Sequence, residues 1–447
     1  MIAFARRHRL RTIQGNTQTM FRLFGRHRRP RVQRSMRQPP RLAAAAPPLP
    51  ARAAADPIQA PWEALREAFT PTQPQRNPRR LAGRASELSL IVGAISYNRA
   101  HVVLYGDRGR GKTSLVNLVA TSARTAGYMV GRYACAQDST FDDIMRGVAR
   151  DLPRPFLSVP ACDELDLEGC EAALPQRSIA PRDIALLPGR LSGRRLVLII
   201  DEFDRVIDGE ARTRLADTIK QVSDRGARVS IVVVGVSDSL EDLLGQHRSI
   251  QRNVVGVHLP LLTDADIHGI LALGADYAHI EYPRHIQDTI AGLARGVPYI
   301  AHLLGLHAGE AALQRGSRAV ASQDLRSAIT QSIAELDPRV AVGYEELTQA
   351  GQDLAMRQLL HIIAETGHDR YARFSVRQEG DAFRIGDRQI DGALWTRLRE
   401  AGVVRPCRSA GFGLHTLSEP MLLHYILLRR MVEAGPLVAR PNREAAA

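Results

Sequence analysis

An α/β protein with a parallel sheet is the fold this sequence predicts, followed by an all-helical segment and a small C-terminal domain of helices and a hairpin. Three observations carry that expectation. The stretches His101–Tyr105, Tyr128–Ala134, Leu196–Ile200, Arg228–Gly235 and Val254–Leu259 are rich in β-branched and leucine residues, with little apolar/polar alternation. That is the pattern of strands buried on both faces. Segments with helical apolar spacing lie between them, and such alternation argues for a sheet covered by helices on each side. From Asp264 to Leu336 the strand pattern stops and the spacing is helical throughout.

The first 55 residues hold 13 arginines and no lysine, aspartate or glutamate. They account for the entire net charge of +13, so the remainder is formally neutral. A tail of arginine, alanine and proline cannot bury enough apolar surface to order itself. Three meanings stay open for it: an arm that attracts nucleic acid, a transit-type segment, or translated sequence upstream of a start at Met20 or Met36. Next, Pro57–Phe69 reads as a short helix and Thr70–Pro78 as an extended, proline-broken stretch. Ala85–Asn98 places Leu88, Ile91, Val92 and Ile95 at helical spacing. Further helices are expected over Lys112–Arg124, Phe141–Leu152 and Ala211–Ser223, and Pro153–Pro188 is read as an irregular, acidic insertion. In the C-terminal part, Leu354–Ala364 and Asp387–Ala401 read as helices, the latter from Ile390, Leu394 and Leu398. Val403–Pro406 and Gly413–Leu417 read as strands about a turn at Ser409–Gly411, and Pro420–Val432 as a closing helix. The implied organisation is a tail (1–55), an α/β core (56–262), a helical lid (263–338), a C-terminal domain (339–435) and a second tail (436–447).

The chemistry begins between the first strand and the helix after it. Gly106-Asp107-Arg108-Gly109-Arg110-Gly111-Lys112-Thr113 satisfies GxxxxGK[ST] in full, in the strand–loop–helix setting the motif requires. Its glycines let backbone N–H groups curl around phosphates, and the helix N-terminus adds partial positive charge. Lys112 would reach the β- and γ-phosphates, and Thr113 would offer a hydroxyl to Mg²⁺, with Ser114 beside it. The chain has only two lysines, Lys112 and Lys220, against 58 arginines, so a lysine at this position is hard to ascribe to chance. The second half of the site is Leu196-Val197-Leu198-Ile199-Ile200-Asp201-Glu202, an apolar strand ending in two carboxylates at the sheet edge where ligands bind. Asp201 would hold Mg²⁺ through water, and Glu202 would orient and deprotonate the attacking water.

With these segments in hand the resemblance is specific. Gly83-Arg84-Ala85-Ser86-Glu87-Leu88, GDRGRGKTS, LIIDEFDRV and VVVGVSDS together resemble the AAA+ ATPases of the origin-recognition type and their bacterial relatives. The resemblance covers about residues 63–430. It implies an AAA+ core with lid and C-terminal winged helix, ATP and Mg²⁺ as cofactors, and ATP hydrolysis. It implies that Gly83 and Arg84 flank the adenine and that Ser237 or Asp238 is the sensor of the γ-phosphate. It also implies that Arg252, with Arg248 as second choice, is an arginine finger supplied to a neighbouring subunit, hence self-association. One departure is Tyr299, where a sensor arginine is common in that family; Arg295 lies nearby. Gly296-Val297-Pro298 instead resembles the STAND signalling ATPases, whose proline packs near the adenine.

The favoured function is an ATP-hydrolysing molecular switch acting on duplex DNA through the winged helix, in replication, plasmid maintenance or transposition. Arg388, Arg397, Arg399, Arg405 and Arg408 are the basic residues for that contact. The alternative is a STAND-like signalling or defence ATPase whose nucleotide state gates a protein–protein interaction. No apolar run approaches the ~18 residues a membrane span needs. Cys135, Cys162, Cys170 and Cys407 lack ligand spacing, so free thiols in a reducing compartment, the cytoplasm, are expected, with no metal site built from them.

Overall fold

The structure is a computed structural model that describes residues 60–74, 82–153, 169–191, 193–245, 248–349, 351–380, 382–407 and 413–434. The basic tail, the stretch 154–168 with Cys162, the turn Ser409–Gly411 with Arg408, residues 436–447 and the side chain of Arg248 lie outside that description.

Helix α1 (Ala60–Ala68) precedes the core, and α2 (Ala85–Gly93) continues into a π-turn over Ala94–Asn98. Then follow β1 (His101–Tyr105), α3 (Lys112–Thr125), β2 (Met129–Ala134), α4 (Phe141–Arg150), α5 (Pro181–Arg190) and β3 (Leu196–Asp201). The core closes with α6 (Gly209–Asp224), β4 (Val229–Gly235), α7 (Leu240–Leu244) and β5 (Val254–His258). The five strands form one sheet in the order β2-β3-β4-β1-β5, with every pair parallel. Alternate residues of β3 feed opposite cores. Val197 and Ile199 pack with Ile91, Leu115 and Val119, while Leu198 and Ile200 pack with Phe141, Ile184 and Leu215. Burial on both faces is why the strands read as continuous apolar runs.

Helix α5 corrects the expectation that 153–188 is irregular. Of its prolines, Pro181 sits at the first position, where its missing N–H costs nothing, and Pro188 lies inside the helix, third from its end, where it forgoes one helical bond. Asp183 accepts the Ala180 N–H at 2.8 Å, and Arg177 binds the same carboxylate twice at 2.9 Å. Ile184 and Leu187 complete the amphipathic face that joins the core.

The lid is α8 (Asp264–Ala278), α9 (Arg284–Ala294), α10 (Pro298–Gln314) and α11 (Ser322–Glu335). The remainder is α12 (Pro338–Leu347), α13 (Leu354–Glu365), β6 (Phe374–Glu379), β7 (Ala382–Ile385), β8 (Arg388–Ile390), α14 (Gly392–Glu400), β9 (Val404–Pro406), β10 (Leu414–Leu417) and α15 (Met421–Glu433). Strands β6 to β10 form an antiparallel sheet ordered β8-β7-β6-β10-β9. This corrects the helix expected over Asp387–Ala401. Arg388–Ile390 pairs with β7, and the helix starts only after Asp391, whose carboxylate accepts the Ala393 N–H at 2.6 Å. The hairpin β6–β7 was not foreseen, because only Phe374 and Val376 of β6 are buried and the signal is two residues long. Lid and C-terminal domain share one hydrophobic core, running from Leu293 and Leu304 to Trp395, Met421 and Ile426, and α1 contributes Leu65 and Phe69 to it. Among the described residues no helix is long and apolar enough to cross a membrane, and Cys135, Cys170 and Cys407 are free thiols.

Candidate nucleotide site

Strand β1 lies inside the sheet, between β4 and β5, and delivers its C-terminal end to the loop 106–111. Gly106, Gly109 and Gly111 adopt φ values of 140°, 76° and 87°, a region that L side chains rarely enter. That curl turns the loop's backbone back on itself at the N-terminus of α3. Lys112 folds into the loop's mouth and donates to the carbonyls of Gly106 and Asp107, each at 2.7 Å. Burial pulls its ammonium down to about 8, against the opposing pull of Asp107 and Asp204.

A phosphate needs that ammonium charged and raises its pKa on binding. ATP affinity is therefore expected to be flat below about pH 8 and to fall as pH rises through that value. In the window above it, binding should take up a proton. Calorimetric titration in buffers of different ionisation enthalpy measures this; heats independent of the buffer would contradict it.

A cavity of about 730 Å³ opens over the loop, within the size range of small-molecule sites. Of the residues expected at a nucleotide, Arg84, Arg108, Gly109, Arg110, Gly111, Lys112, Thr113, Ser114, Asp201, Glu202 and Pro298 line it. Gly83, Gly106, Asp107, Ser237, Asp238 and Arg252 do not. Three parts of the chain wall it: the core, the lid through Pro298, Tyr299 and His302, and the C-terminal domain through Glu419 and Met421. Thr70–Pro74 also line it, a contribution that the extended sequence before the motif did not betray.

Several side chains have work other than that expected of them. Arg84 is buried and donates to the carbonyls of Arg110 (3.0 Å) and Pro260 (2.8 Å), bracing the loop. Gly83, at φ 69°, lies where a Cβ would come 2.4 Å from Asp266 Cγ, so it serves the close approach of the lid. Arg110 is buried as well. It ion-pairs with Asp107 and donates to the carbonyls of Leu259 and Tyr371, both at 3.0 Å, tying the loop to the C-terminal domain. Two ring stacks reinforce that tie, Tyr105 on His258 and His258 on Tyr371, with centroids 4.8 and 4.2 Å apart.

Asp201 is buried at the end of β3. Its Oδ1 accepts the Glu202 N–H at 2.9 Å, and its Oδ2 accepts from Arg132 Nη2 at 2.5 Å. Glu202 follows in the left-handed region at φ 55°, with its exposed carboxylate bonded to Arg205 Nη1 at 2.7 Å. Two further residues of the same turn, Asp204 and Arg205, line the cavity; both sit in the quoted LIIDEFDRV segment, whose first two carboxylates alone had been given roles. Asp204 Oδ1 accepts the Val236 N–H at 2.8 Å and so joins this turn to the end of β4.

The two sensor candidates are engaged elsewhere. Ser237 donates to the Ser239 carbonyl at 2.7 Å, and Asp238 pairs with Arg405 of β9 at 3.0 Å. Burial raises the Asp238 carboxyl above the ordinary range, with Arg405 opposing. Arg252 is exposed on the turn before β5, away from the cavity of its own chain. Arg295 donates to the Ala364 carbonyl at 3.3 Å and is outside the cavity.

The residues fit a nucleotide with a divalent cation. The loop presents backbone N–H groups at a helix N-terminus, Lys112 supplies a cation, and Thr113 and Asp201 supply hard oxygen donors of the kind Mg²⁺ takes. Fold and loop together define a P-loop nucleotide-binding protein. Residues 95–244 match the AAA domain family, about a third of the chain. Among solved structures, a Walker-type ATPase of Pyrococcus abyssi is similar at 14% identity and TM-score 0.50, covering 80% of this chain and 99% of that one. Cdc6p from Pyrobaculum aerophilum has 18% identity and TM-score 0.46, over 83% of this chain and 98% of its own. The Aeropyrum pernix ORC1 protein, solved in complex with DNA, has 17% identity and TM-score 0.40, over 83% and 97%. No curated protein matches the sequence.

Proposed function

We propose that the chain is an ATP-hydrolysing molecular switch, with ATP and Mg²⁺ as cofactors, whose nucleotide state governs how its C-terminal domain is held. One observation carries this reading. The C-terminal domain is bonded to the two places where a γ-phosphate would be felt: the phosphate loop, through Arg110 and the Tyr371 carbonyl, and the turn after β4, through Arg405 and Asp238. A ligand shifts such an equilibrium only by its differential affinity for the two arrangements, and these contacts supply a difference. In this reading Lys112 and the loop bind the phosphates, Thr113 and Asp201 the metal, and Glu202 positions water. Arg252, exposed before β5, is the finger for a neighbouring copy.

For the target of the switch, the geometry supports a gated protein–protein contact best. The C-terminal domain, in which α13, strands β6–β8 and α14 precede the β9–β10 pair and all five strands share one sheet, is read as a winged helix. Yet Arg388, Arg397 and Arg405 are paired with Glu365, Asp353 and Asp238, so their charge is met within the chain. Duplex DNA, expected from the resemblance, is the second reading, favoured by the position of Arg405 on β9 where release would free it.

One experiment addresses both. In protein lacking residues 1–55, amide exchange over 369–373 and 404–405 is expected to speed up on adding ATP, and unchanged exchange with ATP bound would overturn the gating. The same samples are then titrated with duplex DNA over a salt series. Binding that appears with ATP and falls with a log–log slope of about −0.9 per phosphate neutralised would make DNA the target; no binding at low salt in either state leaves the protein contact.

A further inference from the structure

Arg132, on β2, reaches the carboxylate expected to hold Mg²⁺ without itself lining the cavity. Its Nη2 donates to Asp201 Oδ2 at 2.5 Å, and its Nη1 donates to Asn117 Oδ1, also at 2.5 Å. Asn117 lies on α3 four residues beyond Thr113, so the two side chains share one face of the helix. Mg²⁺ at the site would join α3 to β3 by way of Thr113 and Asp201. One turn further along, the guanidinium already joins the same helix to the same carboxylate. Asp201 is buried, and its other oxygen accepts the Glu202 N–H, so neither carboxylate oxygen lacks a donor. Arg132 itself does not line the cavity and cannot be counted among groups that touch the phosphates.

From this juxtaposition, and resting on the nucleotide reading above, we propose that Arg132 is a built-in counter-cation to Asp201, in competition with the divalent ion for its carboxylate, and that it sets the metal requirement of the site. A carboxylate already neutralised by a guanidinium holds a second cation less tightly. By linkage, the metal weakens the Arg132–Asp201 pair by the same factor as the pair weakens the metal. Because the pair also bonds Asn117, metal binding would loosen a link between the phosphate-loop helix and β2. Metal affinity and metal-free nucleotide affinity are thereby separable quantities, and Arg132 acts on the first. Arg132 is in this sense a positioning residue, acting through Asp201.

The test uses the full chain, ATP and Mn²⁺ as a paramagnetic stand-in for Mg²⁺. Free Mn²⁺ is counted by electron spin resonance at saturating ATP, and ATP affinity is measured separately in chelator. Arg132→Met is expected to lower the Mn²⁺ midpoint of the ATP complex about tenfold, the scale of one charge-assisted hydrogen bond, with metal-free ATP affinity within about twofold of the parent. Arg132→Lys keeps a cation but, as a compact point charge without the planar fork, holds the carboxylate and the Asn117 amide less well, and is expected to shift the midpoint in the same direction by about threefold. A purely structural cross-link would lower the melting temperature in both variants and leave the midpoint where it was. An unchanged midpoint in whichever variant folds, with normal ATP binding, overturns this proposal alone. Failure of the parent protein to bind ATP, with or without metal, overturns the nucleotide reading and this one together.

Discussion

Replacing Lys112 by alanine is expected to abolish ATP binding and leave the fold intact. The reason lies in how the other cations near the loop are used. Arg110 is bonded to Asp107 and to the Leu259 and Tyr371 carbonyls, and Arg84 is bonded to the Arg110 and Pro260 carbonyls. Neither can turn to a phosphate without giving up buried hydrogen bonds. Arg108 lines the cavity but is exposed, and would meet the phosphates without the enclosure that Lys112 has. Lys112 alone is folded into the loop, and its partners there are two carbonyls that a phosphate oxygen would replace. Two charge-assisted contacts at about 1.5–3 kcal/mol each correspond to a loss of roughly two to four orders of magnitude in affinity. The alanine leaves only those two carbonyls without their donor, at a mouth open to water, so a melting temperature within a few degrees of the parent is expected. Titration with a fluorescent ATP analogue beside a thermal melt checks both halves. Undiminished affinity would remove the basis of the nucleotide site.

Glu202→Gln is expected to keep ATP bound while lowering turnover by about a hundredfold or more, the scale of a general base. The amide has the shape of the carboxylate but cannot take a proton from water. Glu202 is held at φ 55° immediately after the buried Asp201, so its backbone position is set by the strand end, and substitution of the side chain should not move Asp201. In this structure its carboxylate is bonded to Arg205, a contact that must open for the carboxylate to face an attacking water. Turnover measured as phosphate release, next to an equilibrium ATP titration, separates the two effects. Normal turnover in the variant would assign the base elsewhere, and Asp204, which lines the same cavity, would be the first residue to substitute.

The phosphate-loop motif and the carboxylate-ended strand that hold those two residues were legible in the sequence because each is coded by neighbours in the chain. A strand, three glycines and a lysine within a dozen residues specify a backbone curl, and an apolar strand ending in Asp-Glu specifies a carboxylate at the sheet edge. Strand order was not needed to find either. The parallel sheet was equally legible, since burial on both faces leaves unbroken apolar runs such as Leu196–Ile200. Where the signal was thin the reading failed: β6 carries two buried residues, and the prolines of α5 read as breaks although one opens the helix and the other lies within it.

Which arginine does what is another matter. With 58 of them in the chain, composition and spacing cannot separate Arg110, buried against the C-terminal domain, from Arg108 beside it, or Arg132 from the surface arginines around it. Each of those assignments depends on a partner far away in sequence: Tyr371 for Arg110, Asp201 for Arg132, Asp238 for Arg405. Such pairs form only once the sheet order has placed β2 beside β3 and the lid core has seated the C-terminal domain. A guanidinium has the same local propensity whether its carboxylate is near or not; the free energy that selects its partner comes from burial and packing of other residues. The sequence by itself therefore determined the phosphate loop, the carboxylate strand and the α/β class, all written in consecutive residues. Only the tertiary structure decided what restrains the Asp201 carboxylate and what ties the loop to the C-terminal domain, because those restraints are long-range ion pairs and hydrogen bonds whose geometry exists in the packed chain alone.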